Sequence, residues 1–303
     1  MSPQELKRIA ATCADLGNQA ADDSGFVALH RLATLLRADI EFRPLLVEAV
    51  IAAPTGPDKW KVLVDSETHP DGARLFPAES PQAPLSPRLR NTLAHELLHT
   101  LSFRAEEFGF RLELSGKETR AEAVKRLERE TEGFSPFLVL PQRIIEAELE
   151  ARELSLEVLV DWRRRWVVSR EVLVARLGLF QSLPEFRLRY HANVTNVAVC
   201  LAEWANDESA ALLEWPVHFN FRDGIVPEFI WQLKNKGKPQ LRELFPDAEF
   251  LLNGGSKLTA RNTLSAGTAA NPRADKLNVV TEIESVPKKK GETFLIVFRA
   301  VYD

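Results

Sequence analysis

The chain has 303 residues, 45% of them hydrophobic and 27% charged, enough for two ordinary domains with real cores and too apolar for a chain whose main state is disorder. Lys and Arg number 39 against 43 Asp and Glu, a net charge of −4, which excludes wholesale capture of nucleic acid or membrane by the long-range field and leaves local contacts only. Cys13 and Cys200 lie far apart, the start MSPQELKRIAATCADLG lacks the form of a signal peptide, and no apolar run approaches a membrane span, so a cytoplasmic protein without a membrane partner is the expectation.

In chain order, residues 1–50 read as helices, because Leu6, Ile9 and Ala10, then Val27, Leu29, Leu32, Leu35 and Leu36, recur at three-and-four spacing. Ala52 to Lys59, with Pro54, Gly56 and Pro57, ends that layer. Trp60 to Asp65 is a short apolar run bounded by turn residues and reads as a strand; the proline-rich stretch Glu67 to Pro87 reads as loop. A helix starts at Ser86, with serine before proline as N-cap and first residue. Lys117 to Phe134, dense in Glu and Arg, reads as a half-exposed helix whose end Pro136 and Pro141 make irregular. Residues 143–180 are again helical. Asn193 to Phe221 carries two apolar runs around a polar turn at 206–209, and Leu277 to Val286 with Thr293 to Tyr302 flank ProLysLysLysGlyGlu; each pair reads as a hairpin. Lys288, Lys289 and Lys290 read as a solvated turn that protects a strand edge.

The chemistry concentrates in His95-Glu96-Leu97-Leu98-His99. On a helix, two histidines four apart project from one face and can hold one metal ion, while Glu96 beside them reaches a metal-bound water. With six His in the chain, random placement produces such a pentad in roughly one chain of this length in a hundred. The bland alternative is a pair of histidines satisfied at a helix surface. Leu93, Ala94, Leu97, Leu98 and Leu101 cover the other faces, so the helix should be core with its ligands facing a cleft. A catalytic zinc takes three protein ligands and keeps one position for water. The metzincin pattern requires glycine at 102 and histidine at 105; Ser102 and Ala105 exclude that class. The third ligand is then a carboxylate from a later helix, with Glu122, Glu128, Glu130 and Glu132 all open.

Three stretches in order, RLRNTLAHELLH (88–99), ERETEGFSPFLVLP (128–141) and LVDWRRRWVVSREVLVARLGL (159–179), resemble segments of the ImmA/IrrE metallo-endopeptidases, cytoplasmic bacterial and phage-encoded zincins. The resemblance implies that His95, His99 and Glu128 hold one Zn2+ per chain, with Mn2+ as the other candidate, and that Glu96 is the general base. Leu98 stands for the family's Gly, Asn91 for Phe and Thr131 for Ala, and Ser135-Pro136 interrupts the helix end. None of these departures removes a ligand or the base, but they keep Glu130 and Glu132 as alternatives to Glu128. The resemblance also implies a protein substrate, a DNA-binding transcriptional repressor or antitoxin, cleaved in a stress, mobile-element or defence response.

Donors for the oxyanion beyond the metal are sought at Tyr190, His191 and His69. A second function, DNA contact, rests on Asp161 to Arg176, which reads as helix, turn, helix with five Arg against two acids. Arg163, Arg164, Arg165 and Arg170 would meet phosphate. The competing reading has Trp162 and Trp166 as core residues at i, i+4 and the arginines solvated or paired with Glu146 to Glu153. The expected architecture is α+β: a small zincin-like metallopeptidase domain over 1–142, a helical helix-turn-helix-like segment over 143–189, and a C-terminal region with β-hairpins over 190–303, sensory or substrate-recognising. The competing class is a non-proteolytic DNA- or protein-binding regulator on a zincin-like fold.

Overall fold

A computed structural model describes residues 3–56, 59–103, 119–182, 196–204, 211–219, 226–227, 257–267, 275–287 and 292–301. Their class is α+β, and the chain divides into two units, residues 1–147 with 162–173, and residues 148–161 with 174–303.

In the first unit the apolar periodicity at the N-terminus forms α1 (Pro3–Ala20) and α2 (Leu29–Leu35), which bury Ile9, Cys13, Leu16, Leu29 and Leu32. The helical reading of residues 1–50 is corrected beyond α2. Ala38–Arg43 is strand β1 and Ala49–Gly56 is strand β2, joined by β3 (Lys59–Asp65) in the order β1-β3-β2. Strand β1 runs parallel to β3, with Ile40 opposite Val62, and β2 runs antiparallel, with Ile51 opposite the same Val62. Pairing on both sides of the apolar run Val62-Leu63-Val64 overrides the weak helical spacing of the flanking segments. The stretch expected to close the helical layer, from Ala52, thus includes the end of β2 as far as Gly56; residues 57–58 lie outside the described residues. The proline-rich stretch is mainly irregular but holds a short helix, α3 (Gly72–Leu75), and a 3-10 turn over Phe76–Ala78.

Helix α4 (Pro87–Phe103) begins as its sequence dictates: the Ser86 hydroxyl accepts the Leu89 N–H at 3.2 Å, and Pro87 occupies the first turn. Leu89, Leu93, Ala94, Leu97, Leu98 and Leu101 are buried. Arg90, on this helix, is buried against Glu79 and stacks on Phe26 with its guanidinium carbon 4.3 Å from the ring centre. Glu79 also accepts the Leu29 N–H at 2.6 Å, so this buried ion pair ties α4 to the start of α2.

Helix α5 (Arg120–Val139) opens on a capping box, in which Thr119 and Glu122 satisfy each other's backbone N–H groups. Pro136 lies inside α5, a correction to the expected irregular end. Proline cannot donate to the Glu132 carbonyl, and the Ser135 hydroxyl does so instead at 3.4 Å, which lets the helix run on to Val139. Gly17 of α1 meets this end of α5 so closely that a Cβ there would lie 2.5 Å from the Phe137 carbonyl oxygen.

Helices α6 (Gln142–Ala151), α7 (Leu156–Arg165) and α8 (Arg170–Ser182) follow. Trp162 and Trp166 are buried with ring centres 5.3 Å apart, the core role that their spacing allows. The second unit carries a six-stranded sheet of β4 (Val197–Trp204), β5 (Ala211–Phe219), β6 (Val226–Pro227), β7 (Lys257–Gly267), β8 (Asp275–Pro287) and β9 (Glu292–Ala300), in the order β5-β4-β9-β8-β7-β6. Both expected hairpins are present as β4-β5 and β8-β9. Their turns, with Lys288 to Lys290, lie outside the described residues. Within this unit Arg299 of β9 binds Glu153 and donates to the Leu154 carbonyl at 2.8 Å, anchoring the start of α7 to the sheet.

Candidate metal centre

One face of α4 and one face of α5 bring three side chains to a point. His95 Nε2 lies 3.0 Å from Glu128 Oε2 and 3.1 Å from His99 Nε2, and His99 Nε2 lies 3.4 Å from Glu128 Oε1. Four ligands at the 2.0–2.1 Å zinc distances would stand about 3.3–3.4 Å apart at the corners of a tetrahedron, so the two imidazole nitrogens and the Glu128 carboxylate, which meets each through a different oxygen, are spaced to hold a single divalent ion. The donor set, two imidazoles and a carboxylate, is that of a catalytic site with an open position. Among the described residues these three are the His, Cys, Asp and Glu group that could hold a metal ion.

Burial grades across the group: the His99 side chain is 6% exposed, His95 19% and Glu128 48%. Burial, and after it the neighbouring His95, hold the His99 imidazole below its ordinary pKa, which favours the neutral, ligating form. The other nitrogen of His99, Nδ1, lies 3.4 Å from the Thr131 hydroxyl, a residue only 2% exposed and one turn beyond Glu128 on α5.

Glu96 is half-buried beside this group. Burial raises its carboxyl above the usual range, the charge of Glu128 adds to that rise, and His95 and the backbone N–H of Ile51 oppose it. The Ile51 amide lies on β2, an edge strand of the first sheet, so strand and helix meet at the carboxylate.

Of the other carboxylates left open by the sequence, Glu122 is taken up by the capping box and Glu132 is exposed to solvent; the Glu130 side chain lies outside the described positions. His69 is buried, with Nε2 2.9 Å from Glu48 Oε1. Glu48 also accepts Arg88 through both oxygens and Thr92 at 3.2 Å. His69 therefore belongs to a polar cluster at the start of α4. Tyr190 and His191 lie outside the described residues. Arg164 and Arg165 are exposed and Arg163 is half-buried, whereas Arg170 is only 5% exposed. Of the four, Arg170 therefore presents the least surface to a phosphate. Two contributors carried no earlier assignment: the Thr131 hydroxyl, whose only sequence signal is its position one turn from Glu128, and the Ile51 amide, a backbone group with no sequence signal at all.

Residues 85–178, which span α4 to the first part of α8 and all three converging side chains, match the model of the IrrE N-terminal-like domain, Peptidase_M78. This stretch is similar to the peptidase domain of the ImmA/IrrE family. His95, Glu96, His99 and Glu128 all fall within the matched residues. No curated protein matches the chain. A solved Mycobacterium tuberculosis transcriptional regulator is similar in fold, with a TM-score of 0.51 and 10% identity over 96% of this chain and 76% of that one. No helix among the described residues is long and apolar enough to cross a membrane.

Proposed function

We propose that the chain is a zinc-dependent endopeptidase, with His95, His99 and Glu128 as metal ligands and Glu96 as general base. The observation that carries this is the convergence of the two imidazoles and the Glu128 carboxylate, with contacts of 3.0–3.4 Å, inside the stretch that matches the IrrE N-terminal-like domain. A zinc ion held there supplies a Lewis acid that polarises the scissile carbonyl and lowers the pKa of water toward about 7. Glu96 accepts the proton of the attacking water and delivers it to the leaving amine. The partial burial that raises its pKa makes Glu96 a better proton acceptor. Manganese is the alternative metal, because the same donors serve either ion.

The substrate in this reading is a DNA-binding transcriptional repressor or antitoxin, cleaved in the cytoplasm during a stress, mobile-element or defence response. The test is co-expression of the protein with a candidate repressor encoded nearby. Wild type should cleave it, and Glu96→Gln should lower the cleavage rate by roughly 10²–10⁴-fold while keeping its metal. A repressor that stays whole with the wild-type protein sinks the reading for that pair.

A second reading, a non-proteolytic DNA- or protein-binding regulator, draws on the fold likeness to a transcriptional regulator and on exposed Arg164 and Arg165. Under it, Glu96→Gln keeps the cellular phenotype, and replacing the arginines of α7 abolishes it.

A further inference from the structure

We infer that Thr131 is a positioning residue for the metal centre: its hydroxyl accepts the Nδ1–H of His99 and so fixes the tautomer that leaves Nε2 free to bind metal. The inference rests on the proposed metal centre and adds a group that the ligand set does not contain. Thr131 Oγ1 lies 3.4 Å from His99 Nδ1, while His99 Nε2 faces Glu128 at 3.4 Å. The imidazole is thus met at both nitrogens by residues three apart on one face of α5. Side chains at that spacing on a helix are neighbours, so a single rigid element fixes both the ligand and the partner behind it.

Burial makes the contact matter. His99 is 5% and Thr131 2% exposed, so water is poorly placed to replace the hydroxyl, and a buried ring N–H without a partner is costly. A neutral imidazole carries one proton. With that proton on Nδ1 the Nε2 lone pair points at the metal position; with it on Nε2 the ring is the wrong tautomer for binding. His95 is less buried than His99, so solvent can serve its second nitrogen, and the dependence on a protein partner falls on His99.

The test uses the full chain in three forms, wild type, Thr131→Val and Thr131→Ser, with zinc affinity read by competition against a chromophoric chelator. Valine keeps the shape and removes the hydroxyl, and affinity should fall roughly 10–100-fold; serine keeps the hydroxyl and should bind close to wild type. Long-range proton–nitrogen spectra of the metal-free protein supply a second readout. They should place the His99 proton on Nδ1 in wild type and divide it between the two nitrogens in Thr131→Val. Wild-type affinity in the valine variant, or a serine variant as weak as valine, overturns the inference and leaves the peptidase reading intact. A His99 proton on Nε2 in wild type overturns it too, even where the valine variant fails to fold. A wild-type protein that binds no zinc overturns the metal centre itself, and this inference with it.

Discussion

Asp65 shows how single side chains hold the scaffold around the centre. Its carboxylate sits at the end of β3 and accepts the backbone N–H groups of Leu45 at 3.0 Å, Thr68 at 2.9 Å and Glu67 at 3.3 Å. Hydrogen bonds, first from the Thr68 hydroxyl and then from the Leu45 amide, lower its pKa from 3.8 to about 2. Because the folded value lies below the unfolded one, the stability that it contributes is complete above pH 3.8 and is lost as pH falls through about 2. Urea unfolding of wild type and Asp65→Ala should therefore differ most at neutral pH and converge over that acid window. A difference that stays constant across it contradicts this role. The same scale explains what the sequence could and could not show of the centre. His95 and His99 are legible because helical spacing alone puts them on one face. Periodicity does not single out Glu128, since four glutamates share one helix and are treated alike; the resemblance does. The capping box that occupies Glu122 is local, whereas the approach of α5 that brings Glu128 to the histidines is a tertiary fact. The Ile51 amide lies beyond any side-chain pattern.

At the scale of elements, α5 is the part whose position decides how Glu128 meets His95 and His99, and α1 is packed against it. Gly17 permits that approach, because a Cβ there would meet the backbone carbonyl of Phe137 at 2.5 Å, and backbone cannot rotate away as a side chain would. Gly17→Ala should cost about 1–3 kcal/mol, the range of overpacking in a closed core, read as a lower urea midpoint. An unchanged midpoint would show that α5 shifts freely against α1. The sequence marks α4 by its cap and apolar spacing and α5 by its density of Glu and Arg, but reads Pro136 as making the helix end irregular; the Ser135 hydroxyl that donates to the Glu132 carbonyl makes continuation possible. Strands β1 and β2 were hidden for another reason. Their few β-branched residues give weak local preference, and both are fixed by pairing with β3, a contact made over distance.

Over the whole chain, the α+β class and both hairpins were legible because alternating apolar residues and polar turns are local signals. In β8, Leu277, Val279, Thr281 and Ile283 are buried at every second position, the period of a half-buried strand. The order β5-β4-β9-β8-β7-β6 was not legible, since the central pairing joins β4 to β9 across most of the second unit. The consecutive burial of Leu295, Ile296, Val297 and Phe298 fits that inner place, where both faces of the strand are covered. The division into units is likewise nonlocal: residues 148–161 group with the second unit and 162–173 with the first, although the two stretches are contiguous and equally helical in sequence. The likeness to a solved transcriptional regulator concerns this fold alone, while the proposed activity rests on the few side chains of one site.

The central claim is that His95, His99 and Glu128 together hold one metal ion, and elemental analysis of purified wild type, His95→Ala and Glu128→Ala tests it most directly. The account predicts about one zinc or manganese per wild-type chain, as a three-ligand site requires, and loss of that metal in both variants. A wild-type protein without metal after reloading, or metal retained in full by Glu128→Ala, contradicts it.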